Sequence, residues 1–248
     1  MGVAAFSQIK GQETISDNVM ANDQVKRVGD RIARSVGRDL PNAKWEFVVF
    51  ESDDLNAFAL PGGKVGVYTG LLDLTDSDDE LAAVMGHEIA HVSSRHGAER
   101  MSQQMVATGV NVLSEVAMEA KDVDDEKRQI ARAVLGVGTT VGVMLPFSRL
   151  HETEADAIGL RFAAGAGYDP RAAADFWRKM QKANEGNQSP PEWLSTHPSS
   201  SSRIENLERL APEYLPLYES VKRRIEAGEI EQVDAMAGAD AAEREIGE

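Results

Sequence analysis

The sequence predicts a mainly helical α+β fold, with helices packed around a small sheet of three or four strands. Three observations predict it. Apolar residues recur at spacings of three and four over most of the chain. Two short stretches, 45–50 and 56–68, break that period with aromatic and β-branched runs. Hydrophobic residues make up 42% of the 248 residues, enough for a sizeable core.

The elements follow in order. Residues 14–38 read as an amphipathic helix, with Val25, Val28, Ile32 and Val36 on one face and Asn22 or Asp23 as its N-cap. Pro41-Asn42 ends it. Trp45 to Phe50 reads as a strand. Asn56 to Leu60 and Lys64 to Tyr68 flank Pro61-Gly62-Gly63, the pattern of a hairpin. Asp73 to Glu80 is acidic and loop-like, and Ser77 to Glu80 matches a capping box. The helix it opens carries Leu81, Val84, Met85, Ile89 and Val92.

Further helices are expected at 97–118 and 149–165. Another starts at Asp169-Pro170 and buries Phe176, Trp177 and Met180, and a last one opens at Ser199 to Arg209. Glu119 to Lys127 is a charged interruption. Ile130 to Phe147 is apolar and glycine-rich. It is short, contains Arg132 and ends at Pro146, so it reads as a packed helix rather than a membrane span. Asn184 to Pro191 is a linker. Residues 1–227 form one domain in this reading, and 228–248 an acidic, frayed tail.

The formal net charge is −15, which excludes the basic face that a nucleic-acid binder needs. It also disfavours simple electrostatic docking on anionic lipid, which leaves peripheral contact through residues 130–147 as the membrane role to test. With no cysteine, neither a disulfide nor a thiolate metal site is available. The N-terminus has neither a basic region nor a long apolar run, so no signal peptide is read there.

Three of the five histidines fall between residues 87 and 96. His87 and His91 stand four apart on a predicted helix, so they share one face and can converge on one ion. Glu88 lies between them, where it can take a proton from a metal-activated water without being a ligand. This is the HExxH arrangement. Two histidines leave a catalytic zinc short of a third ligand. Downstream, Glu152 and Asp156 are four apart on one helix face. Glu152 suits the third ligand and Asp156 suits a supporting partner to a ligand histidine. Glu154 points away from that face. His96 and His151 are the weaker candidates for the third ligand; His96 is about half a turn out of phase with His87.

Several blocks now carry a resemblance: NAFALPGGKVGVYTGLL (56–72), VMGHEIAHVSSRHGAERMS (84–102), PFSRLHETEADAIGLRFAAGAGYDP (146–170) and STHPSSSSRIENL (195–207). The chain resembles the gluzincin zinc metallopeptidases of family forty-eight, the HtpX and CAAX prenyl endopeptidase type. The likeness is nearest to soluble periplasmic members such as LoiP and BepA. The resemblance implies a zincin-like metallopeptidase domain whose edge strand lies over the HExxH helix. It implies one zinc ion on His87, His91 and Glu152, with Glu88 as general base and Asp156 in support. It adds His197 and Arg203 as residues near the metal, and Asn56, Ala57, Phe58 and Ala59 as the strand that receives polypeptide substrate. The implied activity is endopeptidase cleavage of unfolded or misfolded protein in a periplasmic or envelope setting. In some relatives the position of His197 binds the zinc as a fourth ligand and holds the enzyme inactive. The second reading is therefore a latent or chaperone-like zinc-binding module closed by His197.

Overall fold

The computed structural model describes residues 2–120, 124–129, 132, 145–185, 197 and 201–229. They fall into two compact units, residues 1–93 with 155–248, and residues 94–154. Most of 130–147, of the 184–191 linker and of the tail beyond 228 lies outside the described residues.

The first unit is built on a three-stranded mixed sheet. Strands β1 (Glu46–Phe50), β2 (Ala57–Leu60) and β3 (Lys64–Tyr68) are ordered β1-β3-β2. β2 and β3 form the expected antiparallel hairpin, with Ala57 opposite Val67 and Leu60 opposite Lys64. Its turn runs through Gly62 and Gly63 at φ of 98° and 79°, the left-handed region where a Cβ is strained. β1 pairs with β3 in parallel. β3 is therefore central, and all five of its residues are buried.

Helix α1 (Gly2–Gln12) lies against β2 and β3. Its Phe6 packs among Phe50, Phe58 and Tyr68, with Ile9 beside them. A second, larger core holds Val49, Ala57, Val65 and Val67 together with helices α2 (Val19–Val36) and α4 (Asp78–Ser93). The sheet is thus covered on both faces, each with its own apolar cluster.

Helix α2 starts later than the periodicity predicts. Asn18, not Asn22 or Asp23, is the N-cap, its side chain accepting from the Ala21 N–H at 3.2 Å. Residues 14–16 run beside β1 instead: Ile15 bridges Phe50, and the Ser16 N–H donates to the Val49 carbonyl. Part of the acidic stretch after β3 is helical, α3 (Thr69–Leu74). The capping box before α4 forms with a shifted partner. Ser77 Oγ accepts from the Glu80 N–H, while Glu80 Oε2 accepts from the Asp76 N–H.

Every residue of α4 from Glu80 to Ala90 is buried. A helix covered all round must have neighbours on every side, and α4 has β2, α2 and α7 (Ala172–Ala183). Helix α6 (Leu145–Gly165) meets it backbone to backbone. A Cβ on Gly159 would stand 2.9 Å from the His87 nitrogen, and one on Gly86 2.9 Å from the Gly159 carbonyl oxygen.

Helix α7 starts at Ala172, two residues after the expected Pro170. Asp169 instead accepts from the Arg171 N–H and closes a turn. Helix α8 (Ser201–Glu226) passes through Pro212 and Pro216, a residue type that disfavours a helix interior. Its buried Leu207, Ala211, Leu217 and Val221 hold one face to the core across both prolines.

The second unit carries α5 (His96–Ala120), the segment 124–129 and the first half of α6. Among the described residues, no helix is long and apolar enough to cross a membrane.

The contact of α4 with α6 admits no side chain at Gly159. Gly159→Ala is expected to force the helices apart and lose roughly 1–3 kcal/mol, the usual range for overpacking. At about 2–4 °C per kcal/mol for a chain of this size, the melting temperature should fall by about 5 °C. A thermal melt superimposable on wild type would contradict the close packing.

Candidate metal centre

His87 and His91 lie on successive turns of α4, as their spacing requires, and their Nε2 atoms are 3.0 Å apart. Two nitrogens each about 2.0–2.1 Å from a common ion stand at a similar spacing. The His197 ring completes a triangle, with its centroid 5.2 Å from that of His87 and 5.1 Å from that of His91. Glu152 stands one turn before Asp156 on α6. His87, His91, Glu152 and His197 each offer a ligand atom, and these four atoms all lie within 4.8 Å of one another. Three imidazoles and one carboxylate are a donor set that zinc accepts. A site of this chemistry fits a metal of the borderline, nitrogen-binding kind.

Around the donors lies a buried polar network. His87 Nδ1 is 3.0 Å from Asp156 Oδ1, the geometry in which an Nδ1–H donates to the carboxylate and fixes the ring. Arg203, from the start of α8, donates to the same carboxylate twice, from Nε at 2.8 Å and Nη2 at 2.6 Å. Its guanidinium lies over the Trp177 ring, 3.7 Å from the centroid. Asp156, Arg203 and His87 are each buried. Burial pushes the Asp156 carboxyl upward, but the Arg203 guanidinium and the His87 ring outweigh it and hold the group below the usual carboxylate range.

Glu88 is also buried, and its Oε1 is 3.7 Å from His197 Nε2. Of the strand residues, Ala57 is buried in the larger core and Ala59 packs against it, whereas the Phe58 ring joins Phe6, Phe50 and Tyr68 in the other cluster. Asn56 precedes the strand, its carbonyl accepting from the Tyr68 N–H. β2 as a whole lies against α4.

His96 and His151, the weaker ligand candidates, pair with each other in the second unit. Their rings stack at 4.2 Å and 15°. His151 Nε2 is 2.8 Å from Glu99, and His96 Nε2 is 3.4 Å from the exposed Glu154. Burial, and then the neighbouring His151, hold the His96 ring below the ordinary histidine range. Trp177 is the residue that motif reading assigns only to the core. Its sole sequence signal is a position on the buried face of α7.

The Asp156–Arg203 pair is out of water, so removing one partner strands the other. Arg203→Leu is expected to cost about 3–5 kcal/mol in urea denaturation of the metal-free chain, and the double change with Asp156→Leu less than the sum of the two singles. Additive losses would show that the pair does not act as a unit. The Asp156 carboxyl is depressed in the fold. Its contribution to stability is therefore complete above its unfolded pKa of about 3.9 and fades as pH falls through the lower folded value.

The comparisons with known proteins agree with this geometry. The description "Peptidase family M48" matches residues 20–211. Mitochondrial metalloendopeptidase OMA1 of Schizosaccharomyces pombe is 38% identical over 189 residues, covering 76% of this chain and 52% of that protein. Metalloendopeptidase OMA1 of Bos taurus is 37% identical over 188 residues, covering 74% of this chain and 36% of that protein. Beta-barrel assembly-enhancing protease of Escherichia coli K12 is 30% identical over 226 residues, covering 88% and 44%. The chain thus spans about half the length, or less, of these curated relatives. With the match running through the HExxH helix, α6 and the Arg203 segment, the chain belongs to peptidase family M48, the zinc metallopeptidases that the HExxH and ETEAD blocks resemble.

Proposed function

We propose that the chain is a zinc endopeptidase that hydrolyses peptide bonds in unfolded or misfolded polypeptides. The observation that carries this reading is the convergence of His87, His91, Glu152 and His197 on one point beside the buried Glu88. One zinc ion would be held by His87, His91 and Glu152. When bound, it supplies Lewis acidity to a water and to the scissile carbonyl.

The protein's own groups do the rest. Asp156 keeps the His87 Nδ1 protonated and fixes the ring plane. The Glu88 carboxylate takes the proton of the attacking water and delivers it to the leaving amine. His197, 3.7 Å from Glu88, stands where an N–H donor could face the developing oxyanion. β2 is an edge strand of the sheet and lies on α4. An extended substrate adding along Asn56 to Ala59 would be read through its backbone, which suits unfolded chains of varied sequence. Work in cell-envelope quality control is consistent with the assembly-enhancing name of the Escherichia coli relative and with the soluble periplasmic members of the family.

A second reading has one observation in its favour. His197 belongs to the four-donor set, and four protein donors are what a closed zinc site has. On that reading the chain is latent, and the ring must leave before a water can enter.

Glu88→Gln should bind zinc as wild type does and lose cleavage of unfolded casein by at least about 100-fold, the span of general acid–base catalysis. Casein cleavage at the wild-type rate would remove Glu88 from its role. His197→Ala separates the two readings. Casein cleavage falls if the ring serves the reaction and rises if it blocks the metal.

A further inference from the structure

Arg203 is only 6% exposed; its Nε and Nη2 donate to Asp156, and Nη2 also lies 3.2 Å from both ring nitrogens of His87. The cavity behind His87, lined by His87, Asp156, Phe176, Trp177 and Leu207 among others, is only about 10 Å³. A peptide carbonyl does not fit there. Arg203 has its donors on Asp156 and against the His87 ring, an arrangement that suits holding more than binding substrate.

A guanidinium bonded along one edge to one carboxylate can still rock about that edge. The Trp177 indole removes this freedom, because it covers the guanidinium face at 3.7 Å. The contact also replaces part of the hydration that a buried cation gives up. Any shift of the guanidinium passes to Asp156 through two hydrogen bonds, from Asp156 to His87 Nδ1 through a third, and to the His87 ring directly from Nη2 at 3.2 Å. The indole also stands edge-on to the His87 ring, with the centroids 6.5 Å apart.

We propose that Trp177 is a positioning residue of the metal centre, acting through Arg203 and Asp156 on the plane of the His87 ring. Arg203 is then a positioning residue as well, rather than an oxyanion donor. The inference rests on the reading of His87 as a metal ligand. It adds that a residue of α7, outside the HExxH and ETEAD motifs, sets how well that ligand binds.

Cobalt(II) titration of the metal-free chain tests this, with the visible bands reporting coordination geometry and chelator competition giving the affinity. Wild type should take up one equivalent. Trp177→Leu should weaken cobalt binding by about 10–100-fold and shift the bands, the usual effect of losing support behind a ligand histidine. Trp177→Phe keeps an aromatic face under the guanidinium and should restore binding to within about threefold of wild type. Phe162→Leu trims another fully buried ring, one that does not line the cavity behind His87. It should lower the melting temperature and leave cobalt affinity unchanged. Wild-type affinity and bands in Trp177→Leu would overturn the proposal, as would an equal loss of affinity in Phe162→Leu. A wild-type chain that binds no cobalt would overturn the metal reading itself, and this role with it.

Discussion

The buried hydrogen bonds of Asp156 are the constraint on which the rest of the site depends. One carboxylate, from α6, holds a histidine of α4 and an arginine of α8. His87 and Arg203 are 116 residues apart in sequence and meet on it. Burying a carboxylate and a guanidinium is costly unless each is well paired. Here Asp156 is satisfied along both oxygens, and Arg203 is bonded at its edge and covered on a face. Such a network tolerates one arrangement of the three helices, because any other leaves a charge stranded in the core. The candidate metal site inherits its order from it: the same contacts that make the core specific fix the orientation of the His87 ring.

Close helix packing is what lets one carboxylate reach so far. α4 carries Ala82, Ala83, Gly86 and Ala90 among its larger residues, and α6 carries Ala155, Gly159 and Ala163. Small side chains let backbones approach, and at Gly86 and Gly159 no Cβ is tolerated without displacement. That approach puts the Asp156 carboxylate within reach of the His87 ring. The apolar remainder of α4, with Leu81, Met85 and Ile89 fully covered, supplies the burial that makes such closeness favourable.

Local signals in the sequence revealed much of this and non-local ones did not. The HExxH spacing, the Glu152–Asp156 spacing and the Pro-Gly-Gly hairpin are all encoded within a few residues, and each forms as its period or turn chemistry requires. The parallel pairing of β1 with β3 is not so encoded, since nothing in Glu46 to Phe50 names its partner. Sequence alone does not single out Asn18 as the N-cap, because Asn22 and Asp23 carry the same chemistry. The choice among them is made by Ile15 and Ser16, which run along β1 and hold residues 14–16 extended. The prolines of α8, Pro212 and Pro216, show the same priority of packing over local preference. Propensity argues for a break, and burial of Leu217 and Val221 overrides it. Trp177 is the clearest case. Periodicity correctly puts it in the core, but only the fold reveals that the core position lies against a cation.

The two edges of the sheet differ, and the difference bears on what the site can bind. On the outer side of β1 the chain at Thr14 to Ser16 takes up Val49 and Glu51 backbone groups, so that edge is closed. β2 is paired on one side only among the described residues. An exposed edge is a liability that proteins usually blunt with charge, proline or a short strand. β2 is only four residues long and ends at Pro61, which limits chance pairing. Yet Asn56 to Leu60 carries no charged side chain that would repel an incoming strand. An edge kept short but uncharged, and laid on the helix that carries His87, Glu88 and His91, makes physical sense if it is meant to be occupied. On the function proposed above, the occupant would be an extended backbone, presented by a chain already locally unfolded.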